Sequence, residues 1–329
     1  MLRNSSCLNF LITILFANLL YGQNDGAKLA KILADGKVQI IVAQGYIEEQ
    51  QRNKQGRLQQ LHLHNYDYLS QYLLANRYEK LPSNDTTLHL FSKKDWINFK
   101  TSTGLDTSAL ISFEFQLIMP GANSKHHFVN ALRTAEILIY QGHGRRGLGP
   151  DFDDIECNKG NFVIGLNSQL HQANMVLPPG DLSYPTVAVG TNDLELMKDS
   201  IWEEHPRYWL FNVCNSKYYQ DEWASAMVPE HIRQNTEILY THSLISVFAT
   251  AASTTRYLEL ILSGCPLAQI PPKLFEAQQT ALFQSGLYNR SVIQSFSSCY
   301  YWNFKENHSE NPKLKDKKKP PSTKRRRLK

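Results

Sequence analysis

Short apolar runs bounded by glycine, proline or polar residues recur along the chain and predict buried β-strands. From Ser108 to Ile118, apolar and polar residues alternate strictly, which predicts a strand with one buried face. The predicted strands are Val38–Ala43, Thr86–Phe91, Ser108–Ile118, Ile137–Tyr140, Tyr208–Val213 and Glu237–Thr241.

Segments with the apolar spacing of helices separate most of these strands. They are residues 27–34, Tyr66–Tyr78, Trp96–Lys100, Phe128–Arg133, a helix capped by Asn192 or Asp193 that runs through Glu204, Ile245–Leu262, and Lys273–Phe283 after Pro271-Pro272. The polar tract Glu48–Gln60 predicts a loop or an exposed helix. Because strands alternate with helices, we expect an α/β fold whose largely parallel sheet is sandwiched between helices.

Two of the predicted strands end next to residues that carry chemistry. The run Ile137–Tyr140 stops at Gly142, His143 and Gly144, and the run Tyr208–Val213 leads directly into Cys214. The carboxyl ends of parallel strands meet at one edge of a sheet, where ligands and catalytic groups collect. If the two strands are neighbours, His143 and Cys214 therefore face each other across that edge.

An imidazole beside a thiol can accept its proton and make it a nucleophile, and the two residues need not be close in sequence. We therefore expect His143 and Cys214 to form a catalytic dyad. The backbone N–H groups of Gly144 and Cys214, which lie beyond the strand ladders, are candidates for binding a developing oxyanion.

The segments ILIYQGHG and YWLFNVCNS resemble the caspase-like (clan CD) cysteine peptidases, the broad group of caspases, gingipains and legumains. The resemblance spans about Val38 to Leu262. It implies a caspase-like three-layer α/β/α fold, with His143 as general base or acid, Cys214 as nucleophile and Gly144 as oxyanion donor. The caspase-specific pentapeptide around the cysteine is absent, so the resemblance is to the broad group.

Other residues near these strand ends are candidates for binding substrate. Thr241, His242 and Ser243 follow the next strand along the chain, where this architecture lets a specificity pocket form. His242 is also a spare imidazole if His143 is structural. The acidic residues Asp151 and Asp153 lie in the loop after the histidine and are candidates for recognising a basic substrate side chain, although a solvated loop is the simpler interpretation.

Two other functions fit the same residues. Gly142 to Gly147 satisfies the GxGxxG pattern after a strand, which is typical of dinucleotide-binding loops, but Pro150 and neighbouring glycine prevent the helix that such a loop needs. Alternatively, His143 and Cys214 are structural, and the protein is a catalytically inactive caspase-like binding module.

Metal and cofactor signals are weak. The adjacent residues His126 and His127 lack the spacing to share one helix face, and no CxxC pair is present, so we predict no metal site and no cofactor. Apart from Cys7, the cysteines are Cys157, Cys214, Cys265 and Cys299, and their pairing is left open.

The two ends of the chain differ from the rest in composition. Residues 1–22 predict a signal peptide and hence export, secreted or periplasmic; a membrane anchor at residues 8–20 is the alternative. Residues 312–329 carry a net charge of +9, so the rest of the chain carries −4 of the total +5. We expect this basic tail to be disordered and to contact polyanions, and residues 23–311 to form one domain that acts on a peptide or protein substrate.

Overall fold

A computed structural model of the chain describes residues 26–47, 49–52, 56–101, 105–143, 150–152, 201–214, 216–219, 230–242, 245–285 and 300–302. The strands are β1 (Lys37–Gln44), β2 (Gln50–Arg52), β3 (Leu58–Gln60), β4 (Glu79–Leu81), β5 (Leu88–Lys100), β6 (Asp106–Ile118), β7 (Ile137–Gln141), β8 (Arg207–Asn212), β9 (Thr236–Thr241) and β10 (Tyr300–Trp302). The helices are α1 (residues 26–33), α2 (Leu61–Ala75), α3 (Ser124–Thr134), α4 (Glu230–Gln234), α5 (Thr250–Leu262) and α6 (Ile270–Gln284).

Eight strands form one sheet in the order β10-β9-β8-β7-β1-β6-β5-β4. Its five central strands, from β9 to β6, are parallel to one another. The outer strands β10, β5 and β4 pair in the antiparallel sense. The fully buried strands β7 and β8 lie side by side in the centre, as expected for strands covered on both faces.

Two separate apolar cores cover the two faces of the sheet. One core contains Leu69 of α2, Tyr257 of α5 and Leu274 of α6, together with residues of α1. The other contains Phe128 of α3 and Ile232 of α4. Helices therefore lie on both faces of a sheet whose central strands are parallel, and the predicted three-layer α/β fold is confirmed.

The alternation predicted for Ser108–Ile118 is confirmed. Ile111, Phe113, Phe115 and Leu117 of β6 are buried, whereas the residues between them are partly exposed. This strand joins the parallel centre of the sheet, through β1, to its antiparallel side, through β5.

The helix predicted at Trp96–Lys100 is wrong, because these residues form the second half of β5. They pair with β6 along the whole segment, for example Trp96 with Leu110. The pairing satisfies the backbone hydrogen bonds that a helix would have made internally, and Trp96 stays 67% exposed. Of the predicted strand Thr86–Phe91, residues Leu88 to Phe91 begin this longer strand, and Thr86 and Thr87 lie in the turn before it.

Several predicted boundaries also shift. The tract Glu48–Gln60, predicted as a loop or an exposed helix, instead contains the two paired strands β2 and β3. The helix predicted at Tyr66–Tyr78 begins at Leu61 and ends at Ala75. Residues 201–204 are not helical, so the helix predicted through Glu204 does not reach that residue. The helix predicted from Ile245 begins at Thr250, after a 3-10 turn at Val247–Ala249.

The predictions for residues 1–22 and 312–329 lie outside the described residues. Within the described part of the chain, no helix has the length and apolar character needed to span a membrane.

Candidate active site at the carboxyl edge of the sheet

His143 and Cys214 follow two strands that are direct neighbours. Strands β7 and β8 are parallel, and their register places Gln141 opposite Asn212. His143 lies two residues after Gln141, and Cys214 lies two residues after Asn212. Both residues therefore follow the carboxyl ends of adjacent parallel strands, which is the strand arrangement that the sequence predicted.

Glu49 joins His143 at this edge. Its Oε2 atom lies 3.1 Å from Nε2 of His143, and the histidine side chain is the less exposed of the two. Glu49 is in the loop after β1, the strand that neighbours β7 on the side away from β8. Glu49 was not predicted from the sequence because it lies in a polar tract without a motif. Its position just beyond a buried strand is the same signal that indicated His143.

The close approach of two glycines brings Glu49 and His143 together. Gly142 has φ +155°, and a Cβ atom there would lie 2.8 Å from the Cα atom of Gly45. A Cβ atom on Gly45 would in turn lie 2.8 Å from the carbonyl oxygen of Asp151. Only glycine permits this backbone contact between the loops after β1 and β7 without displacement.

The loop that carries Glu49 is held by helix α2 and the residue before it. The backbone N–H of Leu61 donates to the Glu49 carbonyl at 2.8 Å, and the Gln60 side chain donates to the Tyr46 hydroxyl at 2.5 Å. The ring of buried His62 lies against the Ile47 backbone. These contacts fix the backbone on both sides of the carboxylate.

Tyr140 holds the loop that carries His143. Its buried hydroxyl accepts the N–H of Asp151 at 2.8 Å and lies 3.0 Å from the His143 carbonyl oxygen. Asp151 is itself buried, and its carbonyl accepts the N–H of Tyr46. Asp151, a candidate for substrate recognition, is therefore placed by its backbone beside both loops. Gly144 and Asp153 lie outside the described residues, as does most of the Gly142–Gly147 pattern.

The Cys214 thiol is half-buried and lies against the segment that follows β9. Its Sγ accepts the Ile245 N–H at 3.3 Å and lies 3.5 Å from the Ile245 carbonyl oxygen. Burial raises the pKa of the thiol, the contact with Ile245 lowers it, and the negative charge of Glu49 raises it. Glu49 thus contacts His143 and also raises the pKa of Cys214.

Thr241 lies behind the turn that contains Cys214. It is fully buried, and its hydroxyl bonds to the Val213 carbonyl. The backbone N–H of Ser216 donates to the same hydroxyl at 3.1 Å, and the Thr241 N–H donates to the Ser216 hydroxyl at 2.8 Å. The Thr241 hydroxyl, a candidate for contacting substrate, therefore points into the protein and holds the turn.

His242 is exposed next to Thr241 at the same edge. Desolvation lowers its pKa, and the positive charge of Lys217 lowers it further. It remains a candidate for contacting substrate. Ser243 lies outside the described residues.

The other polar candidates have structural surroundings. His127 lies 2.8 Å from Asp85, and no cluster of three or more possible metal ligands occurs in the described part of the chain. Cys214 and Cys265 are free thiols. The remaining cysteines fall outside the described ranges, so their pairing stays open.

The arrangement combines a thiol, an imidazole and a carboxylate on three adjacent strand ends. The sequence matches no known family model, and no characterised protein is significantly similar to it.

Proposed function

We propose that the protein is a cysteine hydrolase that cleaves peptide bonds, with Cys214 as nucleophile, His143 as general base and Glu49 as the group that orients the imidazole. The observation that supports this most directly is the pairing of Gln141 with Asn212, from which the histidine and the cysteine follow at equal distances along adjacent parallel strands. The contact between Glu49 and His143 supplies the third member.

In the proposed reaction, His143 takes the proton of Cys214 as the sulfur attacks the carbonyl carbon of the substrate. The resulting oxyanion accepts hydrogen bonds from the backbone N–H groups of Cys214 and Gly144. When the peptide C–N bond breaks, His143 gives the proton to the leaving amine. Water, activated by His143, then hydrolyses the thioester and releases the acid and the free thiol.

The electrostatics favour a neutral thiol before substrate binds. Burial and the charge of Glu49 both raise the pKa of Cys214. Proton transfer to His143 therefore accompanies the attack, in contrast to enzymes that hold a preformed thiolate. Since Nε2 of His143 contacts Glu49, the mechanism assigns the other ring nitrogen to the thiol.

The test is hydrolysis of a mixed panel of fluorogenic peptides by the full chain and its variants. Cys214→Ala should abolish turnover, and His143→Ala should reduce kcat by about 10² to 10⁴-fold. Cys265→Ala is the matched control, because Cys265 is a free thiol between α5 and α6. This variant should retain activity. Full activity of Cys214→Ala would reject the proposal.

A binding module without catalysis is the second candidate, favoured by the raised pKa of Cys214 and its contact with Ile245. Iodoacetamide distinguishes the two candidates at neutral pH. Selective alkylation of Cys214 that depends on His143 supports the hydrolase, whereas slow alkylation that is unaffected by His143→Ala supports the binding module.

A further inference from the structure

A layer of buried amide and hydroxyl side chains lies directly beneath the proposed site. Three of its members, Gln44, Gln141 and Asn212, are the last residues of β1, β7 and β8. These are the strands that precede Glu49, His143 and Cys214. The other members come from α5, α6 and β10, and all of them are at most 5% exposed: Thr250, Ser253, Thr254, Gln278 and Tyr300.

Thr254 of α5 links two of these strand ends through a single hydroxyl. The hydroxyl donates to Oε1 of Gln141 at 2.6 Å and accepts from Nδ2 of Asn212 at 3.2 Å. Thr254 thus connects the strand that ends before His143 to the strand that ends before Cys214.

The chain of hydrogen bonds continues to the third strand. Nε2 of Gln141 donates to Oε1 of Gln44 at 2.6 Å, and Nε2 of Gln44 donates to the Gly45 carbonyl at 2.9 Å. Gly45 begins the loop that carries Glu49. One chain of hydrogen bonds therefore joins the last residues of the three strands that precede the proposed functional residues, and it ends at the Gly45 carbonyl.

The Asn212 amide is held from its other side as well. Its Oδ1 accepts the Tyr300 hydroxyl at 2.9 Å. Its Nδ2 shares two hydrogens among three acceptors: the Ser253 hydroxyl at 2.9 Å, the Thr250 carbonyl at 3.0 Å and the Thr254 hydroxyl at 3.2 Å. Gln278 donates to the Tyr300 hydroxyl at 2.6 Å. Every member thus has a partner, as a buried polar group requires.

Apolar contacts tolerate small sliding movements, whereas a hydrogen bond weakens when its atoms move by a few tenths of an ångström. A polar layer at the carboxyl ends of β1, β7 and β8 therefore fixes these three strand ends relative to one another. Misplacement of reacting groups by about 1 Å reduces rates by about 10²-fold.

We propose that Thr254 is a positioning residue that sets the placement of Cys214 relative to His143. This inference rests on the proposed function of these two residues. In this role Thr254 acts through Gln141 and Asn212, which lie two residues before His143 and Cys214.

The experiment compares Thr254→Val, which removes the hydroxyl and keeps the shape, with Thr254→Ser, which keeps the hydroxyl. Thr255→Val is the matched control: Thr255 is also buried on α5, but its hydroxyl donates to the Ala252 carbonyl one turn earlier. Two readouts are measured: kcat and KM for a fluorogenic peptide, and the pH dependence of iodoacetamide alkylation at Cys214, quantified by peptide mass spectrometry with Cys265 as internal reference.

Thr254→Val should lower kcat about tenfold with little change in KM, and should shift the midpoint of the Cys214 alkylation profile. Thr254→Ser should restore both, and Thr255→Val should resemble the wild type. Equal behaviour of Thr254→Val and Thr255→Val in both readouts would overturn the positioning role.

If Thr254→Val does not fold, Tyr300→Phe tests the same layer from the side of β10. Its control is Tyr257→Phe, since the Tyr257 hydroxyl bonds to the Trp209 carbonyl in the middle of β8. Only Tyr300→Phe should shift the alkylation profile, and equal profiles would overturn the inference.

The two proposals fail separately. A wild-type chain that hydrolyses no peptide, but whose alkylation profile shifts only in Thr254→Val, overturns the hydrolase and retains the placement of the thiol by Thr254. A chain that hydrolyses peptides equally well with Thr254→Val and Thr255→Val retains the hydrolase and overturns the positioning role.

Discussion

Gly142 lies so close to Gly45 that a Cβ atom on Gly142 would be 2.8 Å from the Gly45 Cα atom. The loops after β1 and β7 therefore touch backbone to backbone. This contact brings the carboxylate of Glu49 within 3.1 Å of the His143 ring.

Gly142→Ala should separate these loops and reduce peptide hydrolysis, because the new methyl group forces the backbone apart and φ of +155° strains an alanine. We expect a loss of stability of about 1–3 kcal/mol, measured by urea denaturation. Gly26→Ala is the control, since a Cβ atom there meets nothing within 4 Å. Equal stability and activity of the two variants would contradict the close approach.

Glu49→Gln should have two opposite effects at the proposed site. Loss of the carboxylate charge removes an interaction that raises the pKa of Cys214, so the thiol should be alkylated at lower pH. Loss of the carboxylate that contacts Nε2 of His143 should lower kcat about tenfold or more. The measurements are the pH profile of alkylation and the steady-state kinetics. Glu79→Gln, on the edge strand β4, is the control, and an effect of the same size there would contradict a specific role for Glu49.

Thr241→Val should loosen the turn that contains Cys214, because the hydroxyl bonded to the Val213 carbonyl is lost. Thr236→Val, at the other end of β9, removes a buried hydroxyl that bonds to the Ile232 carbonyl at 2.8 Å. Both variants should lose about 1 kcal/mol of stability. Only Thr241→Val should change the alkylation rate of Cys214; an unchanged rate would show that the turn holds its shape without this hydroxyl.

The free energy of unfolding should fall as the pH rises, because Glu136 loses a proton that the folded state holds. Burial raises the pKa of this carboxyl to about 7, although the Gln39 N–H donates to it at 2.7 Å. The folded state therefore holds a proton that the unfolded state releases near the ordinary carboxyl pKa. The stability linked to this proton is complete below about pH 4.5 and is lost as the pH rises through about 7.

Glu136→Gln keeps the acceptor for Gln39 and removes the ionisation. The variant should match the wild type near pH 4.5 and exceed its free energy of unfolding by up to about 3 kcal/mol at pH 8, as measured by urea denaturation. An equal difference between variant and wild type at both pH values would contradict the raised pKa.

The local sequence predicted the strands that carry the site because their signals are short-range. The apolar runs before Gly142 and Cys214 are bounded by residues that stop a strand, and both strands are fully buried in the structure. The alternation in β6 likewise reflects a single strand with two unlike faces. These features depend on residues a few positions apart.

The helix predicted at Trp96–Lys100 was wrong because these residues pair with β6, a strand later in the chain. This pairing outweighed the local helical pattern. Glu49 was missed for a similar reason. Its contact with His143 depends on β1 lying next to β7, and those strands are about a hundred residues apart in the chain.

The sequence by itself determined which residues end the central strands and therefore which side chains were candidates for chemistry. Only the tertiary structure decided that Glu49 lies beside His143 and that Thr254 joins Gln141 to Asn212. The physical reason is that strand formation is encoded in neighbouring residues, whereas a contact between strand ends depends on the order and register of the sheet.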